Sequence, residues 1–302
     1  MNKKLGSYFN GNYSISIYED GTRIKQTMDD NATEFIADFP DSMDVKITNR
    51  CDRNCPMCHE DSHEWGEQGN LLDVKFIDTI RPYTEMAIGG GNPLSHPQLI
   101  PFLQILKEKN IIANITVNEL HFMQKVNLDL LKYLTVNRLI YGLGVSYNFY
   151  NDQFIDTIKQ FPNAVVHIIN GITQMAAIRL LYNKNLKLLI LGYKEFRKGE
   201  KYYLDCSYSI DEKKDELYKE FPDLIKHFKV VSFDNLALEQ LNVRRLLTRK
   251  EWAEFYQGDD GQHTMYIDLV NKKFAINSTT KKTFDLLDNI DDMFSIVKQN
   301  II

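Results

Sequence analysis

No run of about 18 apolar residues occurs in this chain, so nothing in it reads as a membrane-crossing helix. An excess of either charge is also missing: 36 basic against 41 acidic residues leave a formal net charge of -5. So mild a balance gives no nucleic-acid signal, because such binders usually carry a basic domain or stripe. Cysteine is sparse. There are four in 302 residues, and they are not spread out as a disulfide framework would need. The opening MNKKLGSYFNGNYS has two lysines with no apolar segment behind them, unlike a secretory signal. Together these features predict a cytoplasmic protein. Internal repeats and low-complexity tracts are absent as well.

What is present is enough to build a sizeable core. Hydrophobic residues make up 43% of the chain, compatible with one large α/β domain or two smaller ones. Residues 8–28 alternate polar and apolar around Glu19-Asp20-Gly21, a hairpin signal. From Asp44 onward, apolar runs fall at 44–48, 85–90, 111–117, 139–146, 164–170, 186–192 and 229–233, with helical patterns such as 97–110 and 128–134 between them. This alternation predicts parallel strands with crossover helices. The expected architecture is α/β, a partial (β/α)6-type TIM barrel with a small N-terminal β-hairpin and a C-terminal cap. The expected segments are 1–43, 44–233 and 234–302, and a second hairpin is expected at 264–268 and 273–276.

Three of the four cysteines crowd into CDRNCPMCH, residues 51–59, directly after the first barrel strand. Cys55-Pro56-Met57-Cys58-His59 has the C-x-x-C-H form of haem attachment. Three thiols and His59 have the donor set of a zinc site. Cys51, Cys55 and Cys58 also have the form of three ligands to an iron–sulfur cluster with one iron left open. In a barrel the strand ends converge on one mouth. Here they carry the cysteine loop, GGGNP at 89–93, VNELH at 117–121 and Ser146.

CDRNCPMC after one strand and IGGGNPLSHPQL after the next resemble the radical SAM superfamily over roughly residues 44–233. The resemblance implies a [4Fe–4S] cluster on Cys51, Cys55 and Cys58, with S-adenosylmethionine chelating the open iron. It implies cofactor contacts from Met57, Gly89, Gly90, Gly91, Asn92, Pro93, Asn118, Ser146, Ile168 and Asn170. Two positions depart from the family's habit: Asn92 stands where an acidic residue is usual, and Met57 where an aromatic one is. With one cysteine left over, the resemblance points to a branch without auxiliary clusters.

Other candidates rest on position. Lys194 and Arg197 follow the sixth strand and suit a carboxylate. His59, Glu60, Asp61, His63 and Glu64, ending at Trp65, form a polar run beside the thiols, with His59, Glu60 and His63 as candidate substrate contacts. Asp234, Asp268, Trp252 and Tyr256 are candidates in the C-terminal region. Cys206 is a candidate hydrogen-atom donor, against the plainer role of a small hydrophobe.

The expected activity is reductive cleavage of S-adenosylmethionine to a 5′-deoxyadenosyl radical that takes hydrogen from a substrate. The electron donor would be a flavodoxin or ferredoxin. The substrate is a peptide, paired on the N-terminal hairpin's edge, or a small metabolite or nucleotide. The alternative is a non-catalytic module in which zinc or an iron–sulfur cluster is structural.

Overall fold

In the computed structural model, described over residues 3–29, 31–32, 34–148 and 153–301, the chain opens with three strands. They are β1 (Lys4–Asn10), β2 (Tyr13–Tyr18) and β3 (Arg23–Thr27), an antiparallel sheet of their own. The sequence predicts a hairpin here, and its turn at Glu19-Asp20-Gly21 joins β2 to β3. The additional strand β1 comes from a second turn at Gly11. That residue has φ +55°, and a Cβ on it would lie 1.7 Å from the Ile36 carbonyl oxygen, so only glycine fits.

All seven apolar runs of the central region become strands. They are β4 (Ser42–Thr48), β5 (Glu85–Gly90), β6 (Ile112–Asn118), β7 (Gly142–Ser146), β8 (Ala164–Ile169), β9 (Lys187–Leu191) and β10 (Val230–Phe233). Every neighbouring pair is parallel. Helix α1 (Leu99–Glu108) shows why the segments between them fold back on the sheet. It buries Leu99, Phe102, Leu103 and Leu106. That is the spacing of one helix face, each side chain contributing about 1.5–3 kcal/mol.

The C-terminal hairpin forms where the sequence predicts it, as β11 (Thr264–Asp268) and β12 (Lys273–Ala275), followed by β13 (Phe284–Asp285). It joins the main sheet instead of sitting over it as a cap. β11 pairs parallel with β4, placing Tyr266 opposite Asp44 and Asp268 opposite Lys46. The sheet thus exceeds the expected six strands: eight run parallel from β10 to β11, and β12 and β13 follow antiparallel. β10 and β13 are its two edges, so the barrel stays open.

The N-terminal sheet closes the end of the barrel where the strands begin. Arg23 pairs with Glu85, the first residue of β5. Lys187, the first residue of β9, donates to the Asp20 carbonyl at 2.8 Å. Asn163, just before β8, donates to the Glu19 carbonyl at 2.5 Å. Asp41, just before β4, accepts from Asn10 Nδ2 at 2.8 Å and Tyr13 Oη at 2.9 Å, and pairs with Lys25 Nζ at 2.8 Å. A peptide paired on this sheet's edge would therefore lie at the end opposite the cysteine loop.

Candidate active site

The loop after β4 is shaped by its own backbone. Cys51 N–H donates to the His63 carbonyl at 2.9 Å, and His63 N–H donates to the Asn49 carbonyl at 3.0 Å. Cys58 N–H closes a tight turn on the Cys55 carbonyl at 3.2 Å, with Asn54 in the left-handed region at φ 44°. Cys51, Cys55 and Cys58 all line one cavity of about 380 Å³ at the C-terminal ends of the strands. Met57, His59, Glu60, Gly89, Gly90, Gly91, Asn118, Ser146 and Lys194 share that lining.

The three glycines have different jobs. A Cβ on Gly91 would lie 2.3 Å from the Arg50 carbonyl oxygen, and one on Gly90, at φ +108°, 2.4 Å from that of Thr48. Gly91 N–H reaches the Thr48 carbonyl at 2.7 Å, and Asn92 N–H the Arg50 carbonyl at 2.8 Å. Gly90 and Gly91 thus bind the glycine segment to the start of the cysteine loop. Gly89 meets nothing within 4 Å. Of the three, it is the one whose Cβ position is open on the cavity side.

The basic loop after β9 grips the acidic run after the thiols. Arg197 donates to the Glu60 carbonyl at 3.2 Å, and Lys198 to the Ser62 carbonyl at 2.9 Å and Asn54 Oδ1 at 3.0 Å. Arg197 is therefore spent holding the cysteine loop and does not line the cavity. Lys194 does, with Nζ 3.0 Å from Ser278 Oγ and 3.5 Å from His59 Nε2.

Inside the barrel, Lys46 is buried and pairs with Glu60 at 3.0 Å and Asp268 at 3.4 Å. Burial alone would raise the Glu60 carboxyl, but His59 and Lys46 outweigh it and hold the group ionised. Tyr266 Oη donates to Glu60 at 3.1 Å, and burial with that neighbouring charge pushes its phenol up. Burial and then Lys194 push His59 down, opposed by its bond to Glu60.

The donor set fits an iron–sulfur cluster with an open position. Three soft sulfurs face one cavity, and burial raises the Cys51 and Cys55 thiols, with the neighbouring cysteines adding to the effect. A metal reverses that by binding thiolates and releasing their protons. His59, the fourth ligand of the zinc alternative, turns its Nε2 towards Glu60 and Lys194. Atoms of Cys51, Asp52 and His121 also lie within 4.8 Å of one another. Asp52 is already bonded to Arg53 at 2.7 Å and to His121 at 2.5 Å, so this group braces Cys51.

Several candidates lie off the cavity. Asn92 spends its side chain capping the turn at Pro93–Ser95, and Pro93 is buried beneath it. Ile168 is fully buried on the outer face of β8, where the expected register is off by one: His167 and Ile169 face the cavity. Asn170 donates to Gln240 at 3.0 Å. Asp234 caps the helix Asn235–Gln240 and accepts from Gly192 N–H at 2.8 Å. Asp268 holds the turn after β11 as well as Lys46. His63, Asp61, Glu64 and Trp65 are exposed. Trp252 stacks on Tyr256 at 4.7 Å, away from the lining. Cys206 sits at a kink (φ -133°, ψ 20°) in the helix Lys198–Leu224, beside Tyr202 and outside the lining.

Sequence reasoning missed Asp44, Lys46 and Tyr266, and also His167, whose ring nitrogen would lie 2.6 Å from a Cβ on Gly144. The signal was available. In DVKIT, Asp44 and Lys46 alternate with Val45 and Ile47, which puts both polar residues on one face of a buried strand.

No family model and no curated relative matches this sequence. Solved structures do. SuiB of Streptococcus suis bound to precursor peptide SuiA aligns with TM-score 0.55 and 15% identity, over 86% of this chain and 65% of that one. SuiB bound to S-adenosylmethionine aligns with TM-score 0.54 and 15% identity, over 83% of this chain and 64% of that one. This chain thus spans just under two thirds of SuiB's length. At such identity the likeness concerns architecture, and the architecture of this chain is the radical SAM fold.

Proposed function

We propose that this chain is a radical SAM enzyme acting on a peptide. The observation that carries the proposal is the meeting of three thiols and the open backbone of Gly89 in one cavity at the barrel mouth. Cys51, Cys55 and Cys58 would hold a [4Fe–4S] cluster whose fourth iron has no protein ligand. Gly89 leaves space for the methionine moiety, and Met57 would pack on the adenine. Asn118 and Ser146 offer polar contacts, and Lys194 suits the cofactor's carboxylate. With both cofactors bound, the chemistry supplied is a 5′-deoxyadenosyl radical that takes a hydrogen atom from the substrate.

The chain's own contribution is positioning. Arg197 and Lys198 seat the cysteine loop. Behind it, Lys46 pairs with both Glu60 and Asp268. Support for a peptide comes from SuiB's bound precursor peptide. A flavodoxin or ferredoxin is the class of electron donor this chemistry needs.

The test is anaerobic cluster reconstitution, then dithionite and S-adenosylmethionine. The native chain is expected to hold about four irons and to form 5′-deoxyadenosine and methionine; Cys55→Ala is expected to do neither. Zinc as the sole metal after reconstitution would overturn the proposal.

A further inference from the structure

Asp44 has no role in what has been described. It lies mid-strand in β4, on the face turned into the barrel, and lines the cavity. Thr48 ends the strand four residues later, so Asp44 sits roughly 13 Å below the mouth. Among the described residues it has no hydrogen bond and no ion pair, whereas the other charged side chains of the same wall are engaged. Lys46 is held by Glu60 and Asp268, Arg53 by Asp52 at 2.7 Å, and Lys194 by Ser278 at 3.0 Å.

The surroundings of Asp44 invite a cation. Its side chain is exposed, and what it exposes faces the cavity. Burial pushes its carboxyl up; Lys194 opposes this, while Asp260, Asp234 and Glu60 add to it. On the adjacent strands, Ala87 carries no charge, and Tyr266 has turned its hydroxyl to Glu60. A carboxylate in a protein-lined cavity, with other carboxylates near it, is stabilised in its ionised form by a positive group that meets it. Within the same strand's approach, Asp41 shows how the fold satisfies such a group when the purpose is structural.

We infer that Asp44 binds a cationic group of the substrate, an alkylammonium or guanidinium, inside the barrel lumen. A long unbranched side chain with a terminal charge has the shape to reach that depth from a backbone held at the mouth. On this account the substrate peptide carries a lysine or arginine at the position that enters the barrel. The inference rests on the peptide-enzyme proposal, but its test needs no turnover.

The full chain, cluster-loaded and saturated with S-adenosylmethionine, is dialysed against two hexapeptide pools, one with a fixed central lysine and one with acetyl-lysine there. n-Butylammonium chloride is the small-molecule arm, read by ligand-observed NMR. The native protein is expected to retain the lysine pool at least about 30-fold better than the acetylated pool. Asp44→Asn is expected to abolish that preference while leaving S-adenosylmethionine affinity within about twofold. Equal retention of the two pools by the native protein, with no Asp44-dependent binding of n-butylammonium, overturns the inference whatever the variant does. Equal losses of lysine-pool and S-adenosylmethionine binding in Asp44→Asn also overturn it, and assign Asp44 to the cofactor. Asp44-dependent binding of n-butylammonium without retention of either pool upholds the cationic site and overturns the peptide class. Failure to hold iron or S-adenosylmethionine shows in the loading step, so it is distinguishable from failure at Asp44.

Discussion

Asp41 and Asp44 are three residues apart, yet one is turned to the N-terminal sheet and the other to the barrel lumen. Asp41 faces the N-terminal sheet and is met by Asn10, Tyr13 and Lys25. Asp44 faces the cavity and makes no hydrogen bond or ion pair among the described residues, though Lys194 acts on it through space. The closed end thus spends its polar groups on one another, whereas the lumen leaves Asp44 without a hydrogen bond or ion pair among the described residues. Paired buried charges mark closure, and a charge left without a partner in a cavity marks a place where something else can bind.

The sharpest break of this contrast is expected at the thiols. Cys58→Ala should reduce bound iron and 5′-deoxyadenosine to background, while the metal-free variant melts within about 0.5 kcal/mol of the metal-free native chain, since the thiol only lines a cavity. Iron analysis and denaturant melts check both halves. Asp41→Ala should do the reverse. It strands Lys25, Tyr13 and Asn10 and should cost about 3–5 kcal/mol by urea unfolding, the usual loss when one partner of a buried ion pair is removed.

A smaller effect separates two neighbouring glycines. Gly91→Ala drives a Cβ into the Arg50 carbonyl and should destabilise by about 1–3 kcal/mol. Gly89→Ala meets empty space and should leave stability within about 0.5 kcal/mol, while weakening S-adenosylmethionine binding measured by calorimetry. If both variants lose stability alike, the separation of their roles fails.

The smallest effect is a slope with pH. Burial, then Lys25, pushes His263 down to about 4 from 6.5. The unfolded chain therefore binds the proton first on acidification. The stability this represents is fully present above about pH 6.5 and is lost as pH falls towards 4. His263→Gln should flatten the stability profile in that window by at most about 1.4 kcal/mol per pH unit. An unchanged slope would show that His263 titrates normally in the fold.

Much of the fold was legible because apolar runs report burial directly. All seven central strands and the 264–276 hairpin fall where those runs lie. What the runs could not report is partnership. Nothing in TMYID says that it pairs beside DVKIT, more than two hundred residues earlier, and so the eighth parallel strand was hidden. The helix Lys198–Leu224 was hidden as well, since Pro222 and the break at Cys206 obscure its period. The lumen residues depended on strand register. A slip of one position exchanged Ile168 for His167. Roles that need only a local turn, as at Asn92 and Asp234, were mistaken for contacts because capping and ligand binding draw on the same short polar side chains.

The place of β11 beside β4 also bears on the order of biosynthesis. The strand that carries the cysteine loop is made early, yet Asp268, one of the counter-ions of its Lys46, leaves the ribosome only after most of the chain has emerged. So long a sequence separation makes that pairing a late step of folding. If the thiols hold the proposed cluster, a nascent chain stalled before residue 264 would present them without the strand that completes their support.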